Sequence, residues 1–290
     1  MSAPPTPSDV ALLRRCDVYL DASPREYSEV VDVGPLRAFV SRAPWPYYVR
    51  PRCELDLTGP AAVDADDVRR AADVLAQHGQ AVSFEWVAER VPSLADALTG
   101  AGYAVTLHPL LALHLVDRPA TPAAAEPRAR LVEADGPDVA IALAVSDIGF
   151  AEPGTGIAAA GVPERDARAT DDAIVAFVRN RVRDGRSVPA VLDAGAAGVV
   201  SSGWHQPLDG STEVVGVATV PAFRRRGYAA SVVSALLDDA TAHGCTLALL
   251  SAADDDVARV YERVGFVRIG HAGAAAPDPD VPRPVVVRAV

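Results

Sequence analysis

Residues 213–229 read EVVGVATVPAFRRRGYA, and the whole reading of the chain turns on them. Residues 213–220 are rich in β-branched side chains, which suits a strand. Pro221 cannot continue a central strand. After the arginines, SVVSALLDDATAHG places apolar residues at helical spacing, so a helix is expected from about Arg226. The first turn of a helix carries unpaired N–H groups and the positive end of the macrodipole, and both attract an anion. Gly227 there allows a positive φ or a close approach of backbone to ligand, and Ala229 keeps the surface open. Arg224, Arg225 and Arg226 add positive charge and guanidinium forks that match phosphate oxygens. A bare arginine triplet reads as a solvated turn. The order strand, Pro, Arg-x-x-Gly-x-Ala, helix reads as an anion site.

Working outward, the same layout occurs twice. In the second half the helix closes at His243-Gly244, an apolar run follows at residues 245–250, and a helix over residues 254–264 ends at Gly265-Phe266. In the first half a helical pattern closes at His78-Gly79, the strand-like run AVSFEWV follows, and the short helix SLADALTGAG ends at Gly102-Tyr103. From His-Gly to Gly-aromatic the spacing is 24 residues (78 to 102) in one copy and 22 (243 to 265) in the other. Two α–β–α–β units of this kind point to an internal duplication. The copies differ ahead of their first helix. There the strand CELDLT (residues 53–58) runs into GPAAVDADDVRR, whose aspartates repel an anion.

The Pro- and Ala-rich stretch around residues 117–129 lacks an apolar period and reads as a linker. This divides the chain into 1–118, a linker at 119–128, and 129–290. Composition bounds the function classes. With 290 residues, half of them hydrophobic, the chain is long enough for two globular domains. Its net charge is −11, and no lysine occurs among the 27 basic residues, as in a GC-rich bacterial genome. An acidic chain lacks the basic face that nucleic acid requires. The first twenty residues have no basic segment ahead of an apolar run, and no apolar stretch is long enough to span a bilayer, so a cytoplasmic location and no membrane partner are expected. Three scattered cysteines support neither a disulfide framework nor a zinc site, and six histidines without H-x-x-x-H spacing predict no metal.

Residues 213–229 resemble the central segment of the GCN5-related N-acetyltransferase (GNAT) family. In that family a strand ending in V-x-P leads to R/Q-x-x-G-x-G/A, and the three defining positions fall on Arg224, Gly227 and Ala229. DVARVYERVGF resembles the family's next motif, with Ala258 three before Tyr261 and Gly265-Phe266 after it; Asp255 stands where many members carry Asn. The resemblance implies an α/β fold, a mixed β-sheet flanked by helices, in two tandem GNAT-like halves of which the first is degenerate. It implies acetyl-CoA as co-substrate and acetyl transfer to an amine of a small molecule or peptide by direct attack. Ala218, Thr219, Val220, Arg224, Arg225, Arg226, Gly227, Tyr228, Ala229, Ala230 and Asp255 would hold the co-substrate, with a strand N–H among residues 217–220 meeting the oxyanion. Tyr261 would protonate the leaving sulfur, against the bland reading of a core aromatic on a helix face. Glu213 is the candidate base, against a solvent-facing strand end. His205, in SSGWHQPLDG, is expected in a solvated loop. The Gly/Pro-rich stretch 149–168 is either a cover over the acceptor site or a plain surface connection. PWPYYVRP, residues 44–51, is expected to pack in the first domain. Two rival functions remain open, a non-catalytic acyl-CoA sensor and a nucleotide or phosphate binder. Oligomeric state is not readable.

Overall fold

The computed structural model describes residues 7–116, 118 and 128–279. In chain order its first elements are α1 (Pro7–Ala22), β1 (Ser28–Val33), β2 (Leu36–Ser41), β3 (Val49–Pro51), α2 (Ala65–Gln77), β4 (Phe84–Val87), α3 (Leu94–Gly100) and β5 (Tyr103–His114). Then come β6 (Ala129–Leu131), α4 (Asp138–Ala151), α5 (Val162–Ala167), α6 (Asp172–Arg183), β7 (Val188–Asp193), β8 (Val199–Leu208), β9 (Ser211–Thr219), α7 (Tyr228–Ala242), β10 (Leu247–Ser251), α8 (Asp255–Glu262) and β11 (Val267–Pro277).

The chain divides into two compact units, Met1–His108 with Gly270–Val290, and Pro109–Ile269. The division from sequence assigned the stretch from residue 270 onward to the second half. It clusters with the first because β11 pairs antiparallel with β4, Ala272 opposite Val87 through Ala275 opposite Phe84. Of the expected linker at 119–128, residues 119–127 lie outside the described residues.

In the first unit the strand order is β1-β2-β3-β4-β11. Helix α2 buries Val68, Ala71, Ala72 and Leu75 at helical spacing, and these meet Leu36, Ala38, Phe84 and Trp86 in one apolar core. Its N-terminus is closed by a reciprocal cap. The Asp64 carboxylate accepts from the N–H groups of Asp66 and Asp67, and Asp67 accepts from the N–H of Asp64. Such a cap contributes about 1 kcal/mol. Elsewhere in the unit, charges are buried as pairs: Arg50 with Asp17 at 2.5 Å and Arg37 with Asp21 at 2.9 Å. Arg50 belongs to the PWPYYVRP stretch, whose Val49 is core and whose Tyr47 and Tyr48 stack edge to face. The expected strand over residues 53–58 is a correction. Those residues form turns, because Asp56 accepts from the N–H and hydroxyl of Thr58 and Leu55 donates to Arg52 O. Local bonds of that kind displace a ladder.

In the second unit the order is β5-β10-β9-β8-β7-β6. Helices cover both faces. Ser202 Oγ donates to Ala142 O in α4, while the neighbouring Gly203 lies under Val232 and Leu236 of α7. Helix α7 buries Val232, Val233, Leu236, Leu237 and Ala240 along one side. Both copies of the α–β–α–β layout are present, as α2-β4-α3-β5 and α7-β10-α8-β11. His78 and His243 even repeat one contact, each Nδ1 lying 2.8 and 2.9 Å from the carbonyl four residues back.

Candidate functional site

The site begins where two parallel strands part. Strand β10 pairs with β9 over three rungs, Leu247 with Ser211, Ala248 with Thr212 and Leu249 with Glu213. Beyond the third rung β9 runs on for residues 214–219 without β10 beside it among the described residues. In α/β folds ligands enter the crevice outside the carboxyl ends of parallel strands, and this is such a crevice. Glu213, on the last shared rung, stands at its apex, half-buried.

A bulge shapes the free stretch of β9. The register against β8 slips between Ser202 opposite Ala218 and Trp204 opposite Val215. Gly216 sits in the slip with φ +63, and a Cβ there would lie 2.9 Å from the Trp204 ring, so no other residue fits. Ser146 of α4 donates its hydroxyl to Gly216 O at 3.2 Å and fixes the bulge from the other side. Ser146 carried no signal in the sequence.

Val220 N–H donates to Val200 O at 2.8 Å, so Val220 is corrected as an oxyanion donor. An antiparallel ladder alternates bonded and non-bonded pairs. Ala218 opposite Ser202 therefore shares the bonded sense of Val220, and the N–H of Thr219 between them points away from β8 toward the opening.

At the end of β9 the chain makes a single 3-10 turn over Pro221–Phe223 and enters α7 through Gly227. The helix starts at Tyr228, two residues later than the sequence pattern suggests. Gly227 has φ +80, no side chain caps the helix, and its first turn holds no acid. The first intrahelical bond is Ser231 N–H to Gly227 O, which leaves the amides of Tyr228, Ala229 and Ala230 ahead of the helix's own bonds. A Cβ on Gly227 would meet nothing within 4 Å. Arg225, itself at φ +66, and Arg226 are exposed beside this open turn, with Arg226 5.0 Å over the Phe223 ring. This is a cradle for an anion. The equivalent turn in the first unit is closed by Asp64.

Arg224 behaves differently from its neighbours. Its guanidinium donates to Gly149 O and Glu152 O at 2.7 Å each, to Gly156 O at 3.1 Å and to Thr219 O at 3.4 Å. The bidentate phosphate contact expected of it is therefore spent on main-chain carbonyls. These bonds fasten the first part of residues 149–168 to the turn. Ala158 N–H donates to Pro221 O, and Ala222 N–H donates to Ala160 O. Farther along, Arg165 of α5 donates to Ala197 O and Val199 O.

Tyr261 lies on α8, buried, its ring edge-on to Phe266 at 6.1 Å. Its hydroxyl makes no hydrogen bond among the described residues, and burial pushes its pKa up to about 12. The phenol therefore stays protonated at neutral pH and can donate. Asp255 pairs with Arg268 at 2.7 Å on the surface. His205 is corrected from a loop residue to a fully buried member of β8, held by Thr212 Oγ1 and Asp239 Oδ2, each at 2.9 Å. Burial lowers its pKa against the opposing pull of Asp239, so the ring is neutral. Thr212, His205 and Asp239 line up like a hydrolytic triad, but Thr212 and His205 are wholly inaccessible.

The sequence model of the acetyltransferase (GNAT) family matches residues 161–266, which span the bulged strand, the open turn and α8. Over those residues the chain is similar to a GNAT acetyltransferase domain. The fold of the whole chain is that of GNAT proteins. A GCN5-related N-acetyltransferase from Kribbella flavida superposes with a TM-score of 0.68 at 22% identity, over 92% of this chain and 95% of that one. One from Sphaerobacter thermophilus does so at 0.59 and 16%, over 93% of each. A tandem GNAT protein of the clavulanic acid biosynthesis pathway matches at 0.54 and 14%, over 86% of this chain and 79% of its own. No curated protein matches by sequence. Both halves of the chain are GNAT-like in fold, and the mixed sheet flanked by helices stands as expected. Among the described residues no helix is long and apolar enough to cross a membrane.

Proposed function

We propose that the second unit transfers an acetyl group from acetyl-CoA to the amine of a small molecule or peptide, at one site per chain. The observation that carries this reading is the uncapped, acid-free helix start at Gly227, placed directly after a strand that parts from its parallel neighbour. The amides of residues 226–230, with the charge of Arg225 and Arg226, fit a diphosphate. The gap past the Glu213 rung fits an extended pantetheine arm, which can bond to the free edge of β9.

In this arrangement the acceptor nitrogen attacks the thioester carbonyl, a C–N bond forms and the C–S bond breaks. The N–H of Thr219, aimed into the opening, meets the developing oxyanion. A preorganised donor of this kind contributes about 10²- to 10³-fold. Glu213, at the apex, takes the proton lost by the amine, directly or through water. The Tyr261 hydroxyl, protonated and without a partner among the described residues, returns a proton to the departing sulfur. The proton-donating step uses a phenol that is protonated at neutral pH.

The test is thiol release. Purified protein is mixed with acetyl-CoA and panels of amines, amino acids and peptide N-termini, and free coenzyme thiol is measured beside calorimetric binding. Turnover with an amine supports the reading. Tight binding with no turnover on any acceptor class would instead favour a non-catalytic acyl-CoA sensor.

A further inference from the structure

Resting on that reading, we propose that Arg224 is a positioning residue for the acyl acceptor: its main chain belongs to the diphosphate turn, while its guanidinium holds the loop that flanks the acceptor side of the crevice. Three of its four acceptors, Gly149 O, Glu152 O and Gly156 O, lie at or just past the end of α4, and the fourth, Thr219 O, ends β9. A cation is favoured there, since the last carbonyls of a helix lack partners and carry the negative end of the dipole. Nε and one terminal nitrogen each make one of these bonds and the other terminal nitrogen makes two, so no pair of parallel N–H groups remains for a phosphate.

The same loop is tied to the turn by main chain as well. Ala158 donates to Pro221 O at 3.4 Å and Ala222 to Ala160 O at 3.0 Å. The segment so held carries Phe150 and Ile157, 61% and 67% exposed, beside the very carbonyls Arg224 grips. Large apolar side chains left in water next to a crevice are ligand-facing candidates. Arg224 thus joins two surfaces. A diphosphate that steadies residues 224–230 steadies residues 149–160, and by reciprocity an acceptor that steadies the loop tightens the grip on the co-substrate.

The experiment compares Arg224→Ala and Arg224→Lys with Arg226→Ala and the unaltered protein. It reads amide hydrogen exchange with and without acetyl-CoA, acetyl-CoA affinity by calorimetry, and the separate changes in acceptor KM and kcat. For Arg224→Ala the amides of residues 150–160 exchange faster by about tenfold or more, tenfold being the lower limit for the loss of three hydrogen bonds to the loop. Protection in β7 and β8 stays, which shows an intact fold. Acetyl-CoA slows loop exchange in the unaltered protein and no longer does so in the variant. Acetyl-CoA affinity in the variant changes by less than about threefold, and acceptor KM rises more than kcat falls. Arg224→Lys recovers part of the loop protection, and it serves as the test if the alanine variant does not fold. Unchanged loop exchange together with a tenfold or greater loss of acetyl-CoA affinity would overturn the proposal, because the guanidinium would then serve the phosphates. If the unaltered protein binds no acetyl-CoA, the proposed function falls, and loop exchange without ligand still reports whether Arg224 holds the loop.

Discussion

Substitution at Gly227 separates the cost of backbone strain from the loss of a ligand site. The residue has φ +80, and a Cβ there meets no atom within 4 Å. Alanine therefore brings no clash, only the left-handed penalty of about 1–2 kcal/mol. For a unit of 161 residues (109 to 269) a melting temperature lower by roughly 2–8 °C is expected. Glutamate suffers the same strain and adds a negative charge where the diphosphate should approach. Two unit charges 4 Å apart at an effective dielectric constant of 20 interact by about 4 kcal/mol. Gly227 is exposed, so solvent removes much of this. Even half of it weakens acetyl-CoA binding about 30-fold. Calorimetric titration beside a thermal melt reads both effects. A folded Gly227→Glu protein that binds acetyl-CoA as tightly as the unaltered one would refute the reasoning.

Three further expectations concern other parts of the chain. Tyr261→Phe lowers kcat by about 10²- to 10⁴-fold with acetyl-CoA affinity nearly unchanged, and because the phenol titrates only near 12, Tyr261 adds no alkaline fall in rate across the ordinary assay range; a wild-type rate in the variant removes tyrosine as the acid. Calorimetry finds one acetyl-CoA per chain, because Asp64 already occupies the helix start of the first unit, and a stoichiometry of two would contradict this. The folded pKa of His205 lies below its ordinary 6.5, so the unfolded chain takes up a proton first as the pH falls. The contribution of His205 is thus held above that value and lost below it, and His205→Gln should flatten the drop in melting temperature between about pH 7 and pH 5; parallel curves would show that His205 is not responsible.

What the sequence could reveal was local. The turn at Gly227 is written in adjacent residues, a proline, an arginine run, a glycine and two alanines, and its reading needs no knowledge of distant segments. The duplication was equally legible, since each helix end carries its own His-Gly or Gly-aromatic signal. The parting of β9 from β10 was not, because a strand's neighbours are chosen by the whole sheet. Nor was the duty of Arg224, three of whose four carbonyl partners lie 68 to 75 residues away in sequence. His205 was misplaced for an instructive reason. Asp209-Gly210 does form a turn, with φ of +47 and +71, yet it is a tight hairpin, so the strands run right up to it. Residues 53–58 failed in the opposite sense, where alternating apolar residues suggested a strand and the Asp56 turn prevented one.

The most direct measurement is the structure of the protein with acetyl-CoA bound. The account predicts the diphosphate within hydrogen-bond reach of the main-chain N–H groups of residues 226–230, the thioester beside the free edge of β9 beyond Glu213, and Arg224 still on the carbonyls of residues 149–156. Density for the diphosphate at any other place, the first unit included, with the turn at Gly227 empty, would contradict it.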